Sequence, residues 1–351
     1  MDFRFLFPLF LPLSPLYAAL MRGRARCYQK GVLSSERLPI PVISVGNLTL
    51  GGTGKTPMVK DITSFLKQKG LAPAIISRGY GGKAPDPVNV VSDGRELLLP
   101  VQQAGDEPYF LASSLPGIPV LTGKKRSEVG RFAYDRFNAN CIVLDDGFQH
   151  LALKRDVDLV LFSAHTQFGN GRVFPGGDLR EPYSALRRAD AFIITGVDGS
   201  TLVAAQALIK KLHDQFPDIP AFTSGYLPAA VLDSHGQSID LIVARRPPLF
   251  AFCGIANSAS FRSSLALMGL NIKGFLDYRD HHFYTRKDVM HLEKLAQESG
   301  AQGLITTEKD MVKIKSLFGL GLPLWTLMMK VVLPEDFYRF ILNRLQGLMQ
   351  K

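Results

Sequence analysis

Glycines 51, 52 and 54, followed by Lys55 and Thr56, close the run PVISVGNLTLGGTGKTP at residues 41–57 and have the makeup of a loop that grips phosphate. Glycines let backbone N–H groups converge on anionic oxygens with no Cβ in the way. A lysine brings a point charge to the β- and γ-phosphates of a nucleotide, and a threonine hydroxyl can ligate Mg²⁺. The usual form has a glycine five residues before the glycine of Gly-Lys; here that place is Thr49. Thr49, Leu50, Gly51, Gly52, Thr53, Gly54, Lys55 and Thr56 are therefore read together as the nucleotide loop, with Gly51 and Gly52 making the turn. The structural alternative is a glycine turn with a solvated lysine. Kinases, GTPases and transport ATPases share such loops, so this one names a nucleotide and not a reaction.

A second group of residues could supply the rest of a phosphoryl transfer. In CIVLDDGFQH (141–150), four apolar residues deliver Asp145 and Asp146, the form of a buried strand aiming a carboxylate at Mg²⁺ beside a phosphate loop. Adjacent strand residues point opposite ways, and the sequence does not say which aspartate faces the metal. The alternative is a strand ending in an Asp-Gly turn. Asp106, in Gly-Asp-Glu-Pro ahead of YFLASSL, reads either as a helix N-cap with Pro108 in the first turn or as a base for an acceptor hydroxyl. Arg78 and Tyr80 follow an apolar run in PAIISRGYGG, at the strand end where open α/β sheets bind ligands. The glycine-rich stretch FGNGRVFPGGDLREP (168–182) carries Arg172, Arg180 and Glu181, and an arginine there could steady γ-phosphate charge. Asp280-His281-His282 lacks a third histidine at ligand spacing, which disfavours zinc; a histidine held by Asp280 would instead polarise a carboxylate such as Asp106.

These residues need a scaffold of alternating strands and helices. Val42, Ile43 and Val45 predict a buried strand into the loop, and MVKDITSFLKQKG predicts a helix out of it, whose positive end faces the same anion. VDLVLF (157–162) and AFIITG (191–196) read as further buried strands. From about 220 the texture changes: AFTSGYLPAAVLD and SIDLIVARR flank the turn DSHGQ and predict a hairpin. After Pro247-Pro248 a second alternation begins, with Thr285 as an N-cap, GLITTEKD as a strand into a charged loop, and LWTLMMKVVL as the last strand. The expected fold is α/β: a P-loop NTPase-type sheet with flanking helices over 31–220, a β-hairpin linker over 221–246, and a smaller C-terminal α/β domain over 247–351.

Composition bounds the partners. The chain has 351 residues, 46% of them hydrophobic, and a net charge of +10, which favours an anionic partner. No helix-turn-helix or RNA-recognition pattern supports nucleic acid. Three scattered cysteines without paired spacing argue for a reducing compartment. Residues 3–21, FRFLFPLFLPLSPLYAALM, are apolar but broken by Arg4 and three prolines, and Arg22, Arg24, Arg26 and Lys30 follow. Residues 1–30 are read as a segment lying at a membrane interface with its basic flank on anionic head groups; a core or dimer contact and a signal or span are the alternatives.

In their order, GGTGKTP, SRGYGG, GDEP, LDDGFQH, GNG with LREP, DHH and TTEKD resemble the tetraacyldisaccharide 4'-kinase family of lipid A biosynthesis, over most of the chain. The resemblance implies transfer of the γ-phosphate of ATP, with Mg²⁺, to the 4'-hydroxyl of a tetraacylated glucosamine disaccharide 1-phosphate. The implied setting is the cytoplasmic face of the bacterial inner membrane, as a peripheral or monotopic monomer. Carried onto this chain, Lys55 and Thr56 hold phosphate and Mg²⁺, Asp106 is the base aided by His281, Asp145 and Asp146 are metal-site carboxylates, and Arg78 and Arg180 contact phosphates or disaccharide. Ser258 stands where a proline is expected, and TTEKD is expected near the nucleotide. A GTPase on a similar loop and a membrane-bound ATPase or sensor without lipid kinase activity are the rival readings.

Overall fold

The computed structural model describes residues 7–255, 257–280, 282–317 and 321–349. The N-terminal part is built from short helices α1 (Phe7–Phe10) and α2 (Ser14–Gln29), then β1 (Val42–Asn47), α3 (Lys55–Gln68), β2 (Pro73–Ser77), β3 (Asn89–Ser92), α4 (Val101–Ala104), α5 (Asp106–Ser114), β4 (Val120–Thr122), α6 (Arg126–Phe137), β5 (Cys141–Asp145), β6 (Val157–Ser163), β7 (Ala191–Thr195) and α7 (Leu202–Gln215). Strands β1, β2, β5 and β7 are buried at every residue, as strands covered by helices on both faces must be. Their aliphatic and β-branched composition follows from that double burial. Strands β7, β6, β1, β5, β2 and β4 lie side by side in that order, all parallel, with β3 antiparallel at the edge. Every parallel strand thus points its C-terminal end to one side, where ligands collect in open α/β sheets.

The later part contains β8 (Ala221–Leu232), β9 (Ser238–Ile239), α8 (Leu241–Ala244), β10 (Leu249–Cys253), α9 (Ser258–Leu267), β11 (Ile272–Asp277), α10 (Arg286–Glu298), β12 (Gly303–Thr307), α11 (Glu308–Ile314), β13 (Leu324–Val332) and α12 (Glu335–Met349). Strand β8 is shared. Its first residues pair in parallel with β7, and residues 225–232 pair antiparallel with β13. A single sheet therefore runs through both parts, continuing from β13 to β12, β10 and β11. The helix α12 turns back onto the first part: Phe337, Ile341 and Leu345 are fully buried in the cluster that holds Ile43, Met58 and Val143.

Three local expectations are corrected. SIDLIVARR does not continue the hairpin; only Ser238 and Ile239 pair with β8, and Asp240 then caps α8 by accepting from the Ile242 N–H at 2.7 Å. TTEKD is not a charged loop: Thr307 caps α11, its hydroxyl oxygen accepting from the Asp310 N–H. Asp106 is not the N-cap of α5 but its first residue, the cap position being Gly105. The Thr285 cap of α10 forms as expected, with Asp288 answering as a capping box. Ser258 opens α9, the helical position in which proline is also accommodated.

The packing of α12 is testable. Phe337 lies edge-on to Phe222, ring centroids 5.4 Å apart, and has no exposed surface. Phe337→Ala should cost about 3–5 kcal/mol of unfolding free energy in a urea titration. A loss under about 1 kcal/mol would mean that α12 is not part of that core.

Candidate active site

Strand β1 ends at Asn47, and the loop that follows has to turn its amides inward without collapsing. Its outward groups are tied off. The Asn47 amide donates to the Thr49 carbonyl at 2.8 Å, and the Gln149 side chain donates to the Asn47 carbonyl at 2.9 Å. The segment 168–182 forms the outer wall: Leu50 N–H donates to the Asp178 carbonyl at 2.7 Å, Thr49 bridges Leu179, and Arg180 N–H donates to the Leu48 carbonyl. Gly54 caps α3 in the left-handed region (φ 76°), where a side chain would be strained and would also strike the Tyr226 hydroxyl. Thr49, Thr53 and Thr56 are buried, while Leu50, Gly51 and Gly52 form the exposed tip.

Charge is gathered beneath this loop. Lys55 Nζ lies 3.6 Å from an Asp146 carboxylate oxygen and donates to Asn47 Oδ1 at 3.3 Å. Arg180 donates to both oxygens of Asp146, at 3.0 and 2.8 Å. Asp146 takes a left-handed backbone (φ 56°), uncommon for a residue with a side chain, which swings it out of the line of β5. Burial works to raise its carboxyl, but the Lys55 and Arg180 charges prevail and hold it below the ordinary carboxylate range.

Asp145 has the opposite environment. It is the last residue of β5, 2% exposed, and one carboxylate oxygen has no hydrogen-bond partner among the described residues. Burial, and then the nearby Glu107 charge, push its carboxyl up to about 7, with Lys55 opposing. The two aspartates that the sequence could not separate are thus distinct: one held ionised in an ion-pair cluster, one buried with an unmet acceptor. An orphaned carboxylate oxygen, a second carboxylate and the Thr56 hydroxyl are the hard oxygen donors that Mg²⁺ takes alongside phosphate oxygens. The residues present therefore fit the ion.

Arg78, Tyr80 and Asp106 come together at the same end of the sheet. The glycine turn after β2 packs on the start of α5: a Cβ on Gly105 would lie 2.6 Å from the Tyr80 carbonyl, and one on Gly82 would run into the Gln103 carbonyl. This contact places Arg78 and Tyr80, both exposed, next to Asp106 and Glu107 at the head of α5. An open cavity of about 570 Å³ adjoins them, lined among others by Arg78, Gly82, Gln103, Lys124 and Lys125. His281 falls outside the described residues. Its neighbour His282 stacks on Tyr278, ring centroids 4.4 Å apart, and faces Asp288 at 3.5 Å.

Sequence reasoning missed several groups here. Arg126 is 4% exposed with its Nε unpartnered among the described residues; burial and then the Arg78 charge lower its pKa to about 10. His150 is held at about 4, first by burial and then by Arg126, Arg155, Arg24 and Arg78. The arginines make an electropositive patch beside the two aspartates, and it keeps His150 neutral. From α11, Lys309 reaches Glu107 at 3.5 Å, and Glu308 pairs with Lys60 of α3 at 2.7 Å. Asp310, fully buried, accepts from the Gly254 N–H and the Thr307 hydroxyl. TTEKD thus clamps the later part of the chain to the helices bearing Lys55 and Asp106. Its T-x-x-D spacing is a cap signal visible in the sequence; the ion-pair partners on α3 and α5 are not.

The two aspartates should respond oppositely to neutralisation. A carboxyl whose pKa rises on folding destabilises the native state as pH climbs from the unfolded value, 3.8, through the folded one. One whose pKa falls stabilises the fold above its unfolded value and loses that contribution in acid. In EDTA at pH 8, Asp145→Asn should raise the melting temperature by about 3 °C or more, and Asp146→Asn should lower it. Shifts of the same sign would refute the assignment of environments.

Comparison with known proteins follows the geometry. A model of the family "Tetraacyldisaccharide-1-P 4'-kinase" matches residues 6–346. A tetraacyldisaccharide 4'-kinase from Desulfotalea psychrophila is 48% identical over 339 residues, covering 96% of each chain. One from Syntrophus aciditrophicus is 41% identical over 328 residues, covering 91% of this chain and 88% of the relative. Among solved structures, LpxK from Aquifex aeolicus in complex with ATP superposes with a TM-score of 0.78 at 30% identity, covering 97% of this chain and 99% of that one.

Proposed function

This chain belongs to the tetraacyldisaccharide-1-P 4'-kinase family, and from that premise we propose how its residues divide the reaction. The activity is the ATP-dependent phosphorylation of the 4'-hydroxyl of the tetraacyldisaccharide 1-phosphate in lipid A synthesis. Supporting the division of roles is one observation above the others: the phosphate loop, the paired aspartates and the head of α5 meet at the C-terminal end of the same parallel strands.

In this reading the loop from Thr49 to Thr56 cradles the triphosphate, and Lys55 leaves Asp146 to meet the β- and γ-phosphates. Mg²⁺, held by Thr56, Asp145 and Asp146, supplies charge neutralisation on the phosphates when bound. Asp106 receives the proton of the 4'-hydroxyl as that oxygen attacks the γ-phosphorus, while the bond to the bridging oxygen breaks and ADP leaves. His281 is assigned the support of Asp106. Arg180 steadies charge on the transferring group, having been held near it by Asp146. Arg78 and Tyr80 line the approach of the acceptor, beside the cavity that Arg78 borders.

A lipid acceptor also accounts for the N-terminal helices. Leu9 and Leu13, in the turns that precede α2, and Leu16 and Leu20, one turn apart on α2, are all exposed. The opposite side docks inward: Ser14 Oγ accepts from Gly176 N–H at 2.9 Å, and Tyr17 meets Phe174 edge-on. Among the described residues no helix is long and apolar enough to cross a membrane. We assign the leucine face to the cytoplasmic surface of the inner membrane, with Arg22 and Arg26 on its head groups, in a monomeric enzyme. We likewise propose residues 31–220 as the nucleotide domain, 221–246 as its connection and 247–351 as a second unit whose last helix, α12, returns to the core of the first.

Transfer of labelled γ-phosphate to the tetraacyldisaccharide 1-phosphate in detergent micelles tests the chemistry. Asp106→Ala should lower kcat by about 10²–10⁴-fold with little change in ATP affinity. Parallel loss of nucleotide affinity would demote Asp106 to a helix-start residue. Acceptor-independent hydrolysis of ATP or GTP without product would point to the GTPase or sensor readings. For the surface, Leu13→Asp with Leu16→Asp should cut sedimentation with anionic phospholipid vesicles about tenfold, and unchanged sedimentation would overturn the membrane face.

A further inference from the structure

Strand β8 brings a tyrosine to the phosphate loop from the side opposite the aspartates. The order β8-β7-β6-β1-β5 puts two strands between β8 and the loop-bearing β1 and places Asp145 on the far side of β1. Yet the Tyr226 ring spans that gap. Its hydroxyl occupies the space where a Cβ on Gly54 would stand, and Thr195 of β7 lies just beyond. Thr195 has an evident task, donating through Oγ1 to the Thr53 carbonyl at 2.9 Å and so fixing the loop. The Tyr226 hydroxyl has none: it is buried and makes no hydrogen bond among the described residues. Two neighbouring hydroxyls share that condition, those of Thr53 and Ser224, 2% and 1% exposed.

A buried hydroxyl without a partner destabilises the fold, and a phenylalanine would pack the same ring without that cost. An unmet donor is useful where an acceptor arrives later. The loop beside it is glycine-rich and opens a helix, the form whose backbone donors gather at an anion. Burial raises the Tyr226 phenol well above its ordinary range, so it remains a neutral donor at any working pH. We propose that the Tyr226 hydroxyl is a further ligand of the nucleotide's phosphates, a donor supplied by the strand that both parts of the sheet share. Because residues 225–232 pair with β13, the position of this donor depends on the later part of the chain as well as on the nucleotide half. A site otherwise built from α3 and β1 thereby senses how β13 is seated.

The inference rests on the nucleotide site proposed above, so two variants are read side by side. The probes are ADP and inorganic pyrophosphate, titrated calorimetrically into the full-length protein. Tyr226→Phe should weaken both about tenfold, the loss expected for one hydrogen bond to a charged acceptor. It should raise the KM for ATP more than it lowers kcat. The melting temperature of the ligand-free protein should stay level or rise, because an unmet polar group has been removed. Affinities within twofold of wild type would overturn the proposal, and so would a fall of several degrees in melting temperature, which would show the hydroxyl already bonded in the resting fold. Lys55→Ala separates the two failures. If it abolishes ADP binding while Tyr226→Phe is silent, the phosphate loop stands and the tyrosine does not. If Lys55→Ala binds ADP normally, the loop assignment falls and the tyrosine's role with it.

Discussion

A glycine loop between a buried strand and a helix has little side-chain packing of its own to fix its shape. Here the holding is done from outside. Asn47, Gln149 and the 178–180 backbone take up the carbonyls and amides that face away from the phosphate position. Left alone, those groups would satisfy themselves by closing the loop, since buried unpaired backbone is costly. The glycine-rich segment 168–182 therefore braces the loop that we assign to the nucleotide as directly as its own glycines shape it. It also carries Arg180 to Asp146, so wall and charge arrive on one piece of chain.

The concentrated positive charge needs a counterweight, and Asp146 provides it. Lys55 and Arg180 both converge on its carboxylate, which holds the two cationic groups together beside the loop. Preorganisation of this kind removes reorganisation from the chemical step. Asp145 is left without such relief. Its burial and the Glu107 charge make it an unstable anion, and a cation placed against it would be doubly favoured. Lys309, arriving from α11, moderates Glu107. The charge state of the site consequently depends on residues from both ends of the chain.

Much of this was legible in the sequence, for identifiable reasons. Doubly buried parallel strands must be apolar throughout, so β1, β2, β5, β6 and β7 showed plainly as apolar runs. Residues that end or follow such strands fall at the C-terminal end of the sheet by topology, which is why Arg78, Asp145 and Asp146 could be named as candidates without coordinates, whereas Lys55 is named from the glycine loop it closes. What failed was local or non-local in a definable way. LIVA after Asp240 has β-branched composition, but a single turn capped by that aspartate won over extension. The shared strand β8 is set by pairing with β13, far along the chain, and no periodicity announces it. Arg126 and Tyr226 sit in unremarkable stretches, and the partner of Lys309 in TTEKD, Glu107, is set only by folding.

The brace also joins two surfaces that a lipid kinase has to serve at once. Gly176 and Phe174 hold α2 through Ser14 and Tyr17, and Asp178, Leu179 and Arg180 hold the phosphate loop and Asp146. All of these contacts fall within the seven residues 174–180. A helix face assigned to the bilayer and a loop assigned to ATP are thus anchored on the same short, glycine-bent segment. Arg24 reinforces the link from the helix side, donating to the carbonyl of Gln149, whose side chain in turn braces Asn47. The contacts that hold the helix thus lie two to six residues along the chain from those that hold the loop and Asp146. A soluble nucleotide and a membrane-held acceptor can be brought into register by such a connection without a separate domain to carry the lipid.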